Sequence, residues 1–146
     1  MPHGMMQIGE VAERVGLSLN TIRHYDQAGL VTPSLRSPGG FRLYSEDDLA
    51  ALLVVKRMKP LGFSLEEMRE LLDSLEALEH PESVAEPDRR ARLVARVGEF
   101  EAAAQARVQR LRTELAHAEE YAGRIAERLA RARERGLAGE AADTVA

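Results

Sequence analysis

Apolar residues open the chain at helical spacing. Ile8, Val11, Ala12 and Val15 fall on one face, and Gly16 supplies a stop. Ser18 is a good N-cap for a second helix running to about Gln27, with Leu19, Ile22 and Tyr25 facing inward and Gly29 closing it. Two short helices joined by a turn containing glycine have the outline of a helix-turn-helix, an outline that many helical hairpins share. From Leu30 the period changes to two. Ser37-Pro38-Gly39-Gly40 is a turn signal, and Phe41-Arg42-Leu43-Tyr44 alternates, placing Arg42 and Tyr44 on one strand face and Phe41 and Leu43 on the other.

The helical period then returns. Ser45-Glu46-Asp47-Asp48 reads as a capping-box variant opening a helix through about Met58, and Pro60-Leu61-Gly62 breaks it. Ser64-Leu65-Glu66-Glu67 is a cleaner capping box for a helix to about Leu72. Residues 73–88 are acidic, contain Pro81 and Pro87, and read as a linker with at most a short helix. From Arg89 to Arg135 there is no proline, and apolar residues recur as Leu93, Val97, Phe100, Ala104, Val108, Leu111, Leu115, Ala118, Ala122, Ile125, Leu129 and Ala132. Their spacings alternate between three and four, apart from two consecutive fours between Phe100 and Val108. That is a heptad seam with one stutter. Gly136 reads as its stop, leaving 136–146 as a short polar tail.

A seam this narrow on a helix this long needs a partner surface, and no second helix of matching length is visible. The N-terminal domain is too small to cover it, so a second copy of the chain is the expected partner, meeting along Leu93, Val97, Phe100, Val108, Leu111, Leu115, Ile125 and Leu129.

Composition agrees with helices and narrow seams: of 146 residues 45% are apolar, but only three are Phe, three Tyr and none Trp. The absence of Cys excludes disulfides and thiolate metal sites. The longest apolar run, Leu49 to Val55, is far short of a membrane span, and no leader-like start is visible, which predicts a cytoplasmic protein. A net charge of −4 looks unpromising for a nucleic-acid binder, but within 14–44 Arg14, Arg23, Arg36 and Arg42 stand against Asp26 alone. Phosphate responds to such a local field rather than to the whole-chain sum.

Catalysis finds little support. His24 and Asp26 are two apart, so on a helix they face different ways. His3, His24, His80 and His117 never show the i, i+3 or i, i+4 spacing a metal would need, and no phosphate-loop or dinucleotide fingerprint occurs. No catalytic group, metal or cofactor is therefore expected. A DNA duplex fits better. Asn20, Thr21, Arg23 and His24 lie near the start of the second helix, where they could reach base edges, and Arg36, Arg42 and Tyr44 on the hairpin could hold phosphates. Tyr25 reads as well as core as it does as a contact, Phe41 reads better as core, and His24 reads also as a plain exposed residue.

Those residues carry a family resemblance. The stretch from Ile8 to Leu72 resembles the DNA-binding domain of MerR-family transcription regulators: "IRHYDQAGLVTP" is similar to the recognition helix and its exit, "GGFRLY" to the first wing, and "LGFSLEEM" to the second wing. His24 stands where Tyr is usual, and Pro60 interrupts the segment before Leu61-Gly62-Phe63. The resemblance implies a mainly α fold, with a winged helix-turn-helix DNA-binding domain over 1–72. An acidic linker over 73–88 and a long C-terminal dimerisation helix over 89–135, paired as an antiparallel coiled coil, would follow. It implies DNA contacts by Thr21, Arg23 and Tyr25, by Arg42 and Tyr44, and by basic residues near the second wing such as Lys59. The implied partners are promoter DNA, a second copy and RNA polymerase, with inducer binding near the end of the long helix reshaping the promoter. Members that sense metals use Cys there, and members that sense drugs carry a large further domain; neither is present in this sequence. A coiled-coil interaction module and an excisionase-like architectural factor are the competing readings.

Overall fold

A computed structural model describes residues 4–145, with side chains described through residue 139. His3 and Ala146 lie outside the described residues. The chain divides into two units, Met1–Ala104 and Gln105–Ala146.

In the first unit, β1 (Met6–Gln7) leads directly into α1 (Ile8–Val15), and α2 (Leu19–Gln27) follows after a short turn. Gly16 terminates α1 with a left-handed φ of 71°. It also lies under Lys56, whose Nζ donates to the Val15 carbonyl at 2.7 Å. A Cβ at position 16 would stand 2.9 Å from that nitrogen, so both the backbone conformation and the approach require glycine. Ser18 caps α2 by accepting from the Thr21 amide at 3.1 Å, a device worth about 1 kcal/mol.

β2 (Leu35–Arg36) and β3 (Arg42–Tyr44) form the expected hairpin. β1 joins it as a third strand, in the order β1-β3-β2, with Met6 opposite Tyr44 and Leu35 opposite Leu43. α3 (Glu46–Met58) and α4 (Leu65–Glu79) open with reciprocal capping boxes, Ser45 with Asp48 and Ser64 with Glu67. A single 3₁₀ turn at Lys59–Leu61 separates them, and Gly62 turns the chain with a φ of 78°. Val11, Val15, Ile22, Leu52, Val55 and Met68 pack into one core with the two tyrosines Tyr25 and Tyr44.

Four expectations are corrected. α4 does not end at Leu72 but continues to Glu79, because the acidic run is built of Leu, Glu and Ala, good helix formers that stop only before Pro81. A second 3₁₀ turn at Pro81–Ser83 leads to α5 (Pro87–Val145), which starts two residues before Arg89 and runs through Gly136 without a break. Gly136 does not adopt a positive φ, so it interrupts nothing. Finally, Leu19 is exposed rather than inward-facing.

The start of α5 rests on its own unit. Phe100 is 3% exposed, its ring edge-on to Phe63 at 5.4 Å, with the Arg96 guanidinium 4.4 Å above it. Arg96 also donates to Glu70 at 2.6 Å and 3.0 Å and to Glu99 at 2.7 Å, which raises its pKa and lowers that of Glu70. Phe100, expected in the intersubunit seam, is thus covered within its own unit. Leu93 and Val97 are half-buried. In the second unit Val108 and Leu111 are half-buried, whereas Leu115, Ile125 and Leu129 are exposed.

Candidate nucleic-acid interface

Helix α2 places its residues by period. Ile22 and Tyr25 point into the core, and Asn20, Arg23 and His24 are left on the outside with half-buried Thr21. The cap orders this face, since the Ser18 hydroxyl donates to Thr21 Oγ1 at 2.8 Å.

Two clefts flank that face. One, of about 140 Å³, is lined by Arg23 together with Gly40, Phe41 and Arg42 of the hairpin and Gln7 and Ile8. The other, of about 360 Å³, brings Thr21, His24 and Tyr25 of α2 together with Lys59, Phe63 and Ser64 from the turn before α4. Thus the structure gathers Thr21, Arg23, His24, Arg42 and Lys59, separated by up to 38 positions in the chain, around one helix. Asn20 lies on the same helix, outside both clefts.

The charges on this face are not all free. Arg14 pairs with Glu46 at 2.9 Å. Arg36 and Arg42 both donate to Asp26 Oδ2, at 2.9 Å and 2.6 Å. Burial opposes ionisation of Asp26, but the hydrogen bonds from Arg42 and Arg36 outweigh it and hold the carboxyl below its ordinary value. Of the four arginines within 14–44, Arg23 alone makes no ion pair among the described residues.

Two expected contact residues lie largely in the core. Tyr44 is 0% exposed and its buried hydroxyl has no hydrogen-bond partner among the described residues, so the ring is core. β3 is paired at both edges, by β1 and β2, and the residues that alternation sends to opposite faces, Leu43 and Tyr44, are both buried. Burial raises the pKa of Tyr44, and Asp26 adds to the effect. The Tyr25 ring is likewise buried, with its pKa raised for that reason, though it lines the second cleft.

Phe41, favoured as a core residue from the sequence, is another that the structure places differently. It is 69% exposed at the hairpin tip, just outside β3, with its ring lying over Gly39, where a Cβ would be 3.1 Å from it. The signal was its place next to the Gly39-Gly40 turn, where an alternation argument no longer applies.

Among the described residues no three His, Cys, Asp or Glu side chains gather as a metal site, and no helix is long and apolar enough to cross a membrane. The arrangement suits a long polyanion: an outward helix whose Arg23 makes no ion pair among the described residues, flanked by two lips carrying cations.

Comparison with known proteins points the same way. Residues 6–75 match the family described as MerR HTH family regulatory protein, and residues 49–118 match the one described as MerR, DNA binding. The heavy metal-dependent transcription regulator 2 of Rhizobium meliloti is 38% identical over 96 residues, which is 66% of this chain and 63% of that protein. The chain thus spans less than two thirds of that relative's length. A putative MerR-family transcriptional regulator from Listeria monocytogenes superposes with a TM-score of 0.58 at 25% identity, covering 89% of this chain and 92% of that one. HiNmlR, a MerR-family regulator lacking the sensor domain and solved bound to promoter DNA, gives 0.55 at 21% identity over 79% and 85% of the two chains, a likeness of fold.

Proposed function

The chain belongs to the MerR family of helix-turn-helix regulatory proteins, and from that premise we propose that it binds promoter DNA as a homodimer and controls transcription by distorting the duplex. The observation that carries this reading is the outward face of α2, where Arg23 lines the cleft against the hairpin and makes no ion pair among the described residues. Arg23 reads a base edge in the major groove, with Asn20, Thr21 and His24 beside it. Arg36 and Arg42 on one lip and Lys59 on the other hold phosphates and set the register.

Dimerisation is supported by the second unit, whose exposed Leu115, Ile125 and Leu129 continue one heptad seam that nothing in their own unit covers. An antiparallel pairing of two such helices gives a two-fold axis. The site is then a pseudo-palindrome with half-sites separated by whole turns of about 34 Å. Gripping both ends of a duplex lets the dimer impose its own spacing, at an elastic cost on the order of 1–6 kcal/mol that the added contacts offset. The edge contact of Phe100 with Phe63 links α5 to the lip beside α2, a route by which the state of the long helix reaches the DNA. RNA polymerase at the reshaped promoter is the downstream partner.

The relative from Rhizobium meliloti is named for heavy-metal dependence. This chain has no Cys, so a soft metal would find no thiolate here and tight binding of mercury or copper(I) is not expected.

The test is a selection of bound fragments from random DNA, followed by a salt series. Arg23→Ala should cost about 1–3 kcal/mol and relax preference at one base pair. Arg42→Ala should weaken all sequences alike and reduce the salt slope by about one. Two variants indistinguishable from wild type across the series would refute the assignment. DNA that runs as straight, with affinity indifferent to base pairs inserted at the operator centre, would remove the distortion step.

A further inference from the structure

The hairpin contains a conflict that the sheet alone does not resolve. Arg36 and Arg42 are register partners on adjacent antiparallel strands, so two like charges stand directly opposite each other, an arrangement that weakens a strand pair. What they share is a single oxygen, Asp26 Oδ2, 2.9 Å from a terminal nitrogen of Arg36 and 2.6 Å from Nε of Arg42. Asp26 belongs to α2, three residues beyond Arg23, and its side chain is 8% exposed. The two bonds therefore fasten the hairpin to the helix that presents Arg23. The planar guanidinium fixes direction as well as distance, so the fastening sets an offset and not merely a contact.

We propose that Asp26 is a positioning residue for DNA recognition: its carboxylate holds Arg36 and Arg42 at a fixed offset from Arg23, and discrimination between DNA sequences depends on that charge. The inference rests on the DNA-binding reading above. A carboxylate on a phosphate-facing surface lowers affinity for every duplex, because it subtracts from the cationic field. Its return is in register. Without it the two arginines repel each other and each takes whichever phosphate lies within reach, so that wrong sequences are tolerated as readily as the right one.

Asp26→Asn keeps the size and an acceptor oxygen while removing the charge. In the full chain, binding to random duplex should be undiminished and its salt slope steeper by about one. The preference for the operator selected by the wild type should fall about ten- to hundredfold. Without DNA, nitrogen NMR should find the Arg42 Nε–H slow to exchange in the wild type and fast in the variant. An unchanged operator preference overturns the proposal. So does an equal loss of affinity for both DNAs by a folded variant, which marks a merely structural role. Should Asp26→Asn fail to fold, Asp26→Glu keeps the charge but lengthens the arm, and a reduced preference at unchanged salt slope is then expected; full preference overturns the idea. A wild type with no salt-sensitive duplex binding overturns the DNA-binding reading, and the proposal with it. That failure is distinct because it appears before any variant is compared.

Discussion

The two ends of α5 carry the same seam and meet opposite fates. At its start, Phe100 is sealed by Phe63 and Arg96 within the first unit, and Leu93 and Val97 are half-covered. In the second unit Leu115 is 59% exposed and Ile125 57%, although both hold heptad positions no different in kind. A hydrophobic pattern therefore says that a face will be covered, not by what. The first unit is locally self-sufficient, with caps, core and ion pairs closed within it. The second is a helix whose apolar stripe, at Leu115, Ile125 and Leu129, is exposed within its own unit.

The largest effect that would break this contrast is on assembly. Leu115→Asp with Ile125→Asp places charge on the open stripe, where no packing is disturbed in the first unit. The variant should sediment as a monomer and lose operator affinity by on the order of a hundredfold or more, the avidity of the second half-site. The melting of the first unit should not move. A variant that remains dimeric shows that the stripe is not the interface. Next in size is Phe100→Ala, expected to cost about 3–5 kcal/mol of first-unit stability in urea unfolding. If instead it leaves stability intact and weakens association, Phe100 belongs to the seam after all. Ser64→Ala should cost about 1 kcal/mol, through loss of the bond it accepts from the Glu67 amide at 3.1 Å.

The contrast also explains what could be read in advance. Ser18, Ser45 and Ser64 cap the helices they were expected to cap, because a capping hydroxyl acts on backbone three residues away and needs nothing distant. Ile22 was legible as core and Arg23 as surface from period alone. The errors fall where a neighbour decides. The pairing of β1 with β3 could not be inferred from two residues without periodicity. Tyr44 has the residue type of a contact and the position of a core side chain, since it packs in one cluster with Met6 and Val11, residues far from it in the chain. Phe41 was lost by extending a strand one residue too far. The apparent surplus of arginines within 14–44 was a count along the chain, whereas Arg14 spends its charge on Glu46 and Asp26 answers two others.

The smallest effect sharpens the comparison at low pH. Asp26 is buried, which opposes its charge, yet the hydrogen bonds from Arg42 and Arg36 hold its pKa below the ordinary 3.8. A depressed carboxyl contributes stability that is fully present above that ordinary value and is lost as pH falls through the folded value. Acid should therefore loosen the hairpin from α2 below about pH 4. The contribution is modest, because the Arg36 side chain is 50% exposed and water screens its share. In the second unit the ion pairs Arg124–Glu120 and Arg131–Glu127 are exposed i, i+4 contacts, each worth only a few tenths of a kcal/mol, about 0.2–0.5. The near-ultraviolet dichroism of the buried Tyr25 and Tyr44 reports the first unit, and the far-ultraviolet signal is dominated by the helices. On acidification the tyrosine signal should fade before the helical one, and Asp26→Asn should shift that early step. Coincident loss of both signals, unchanged in the variant, would mean that the two units share one acid transition and that Asp26 does not govern it.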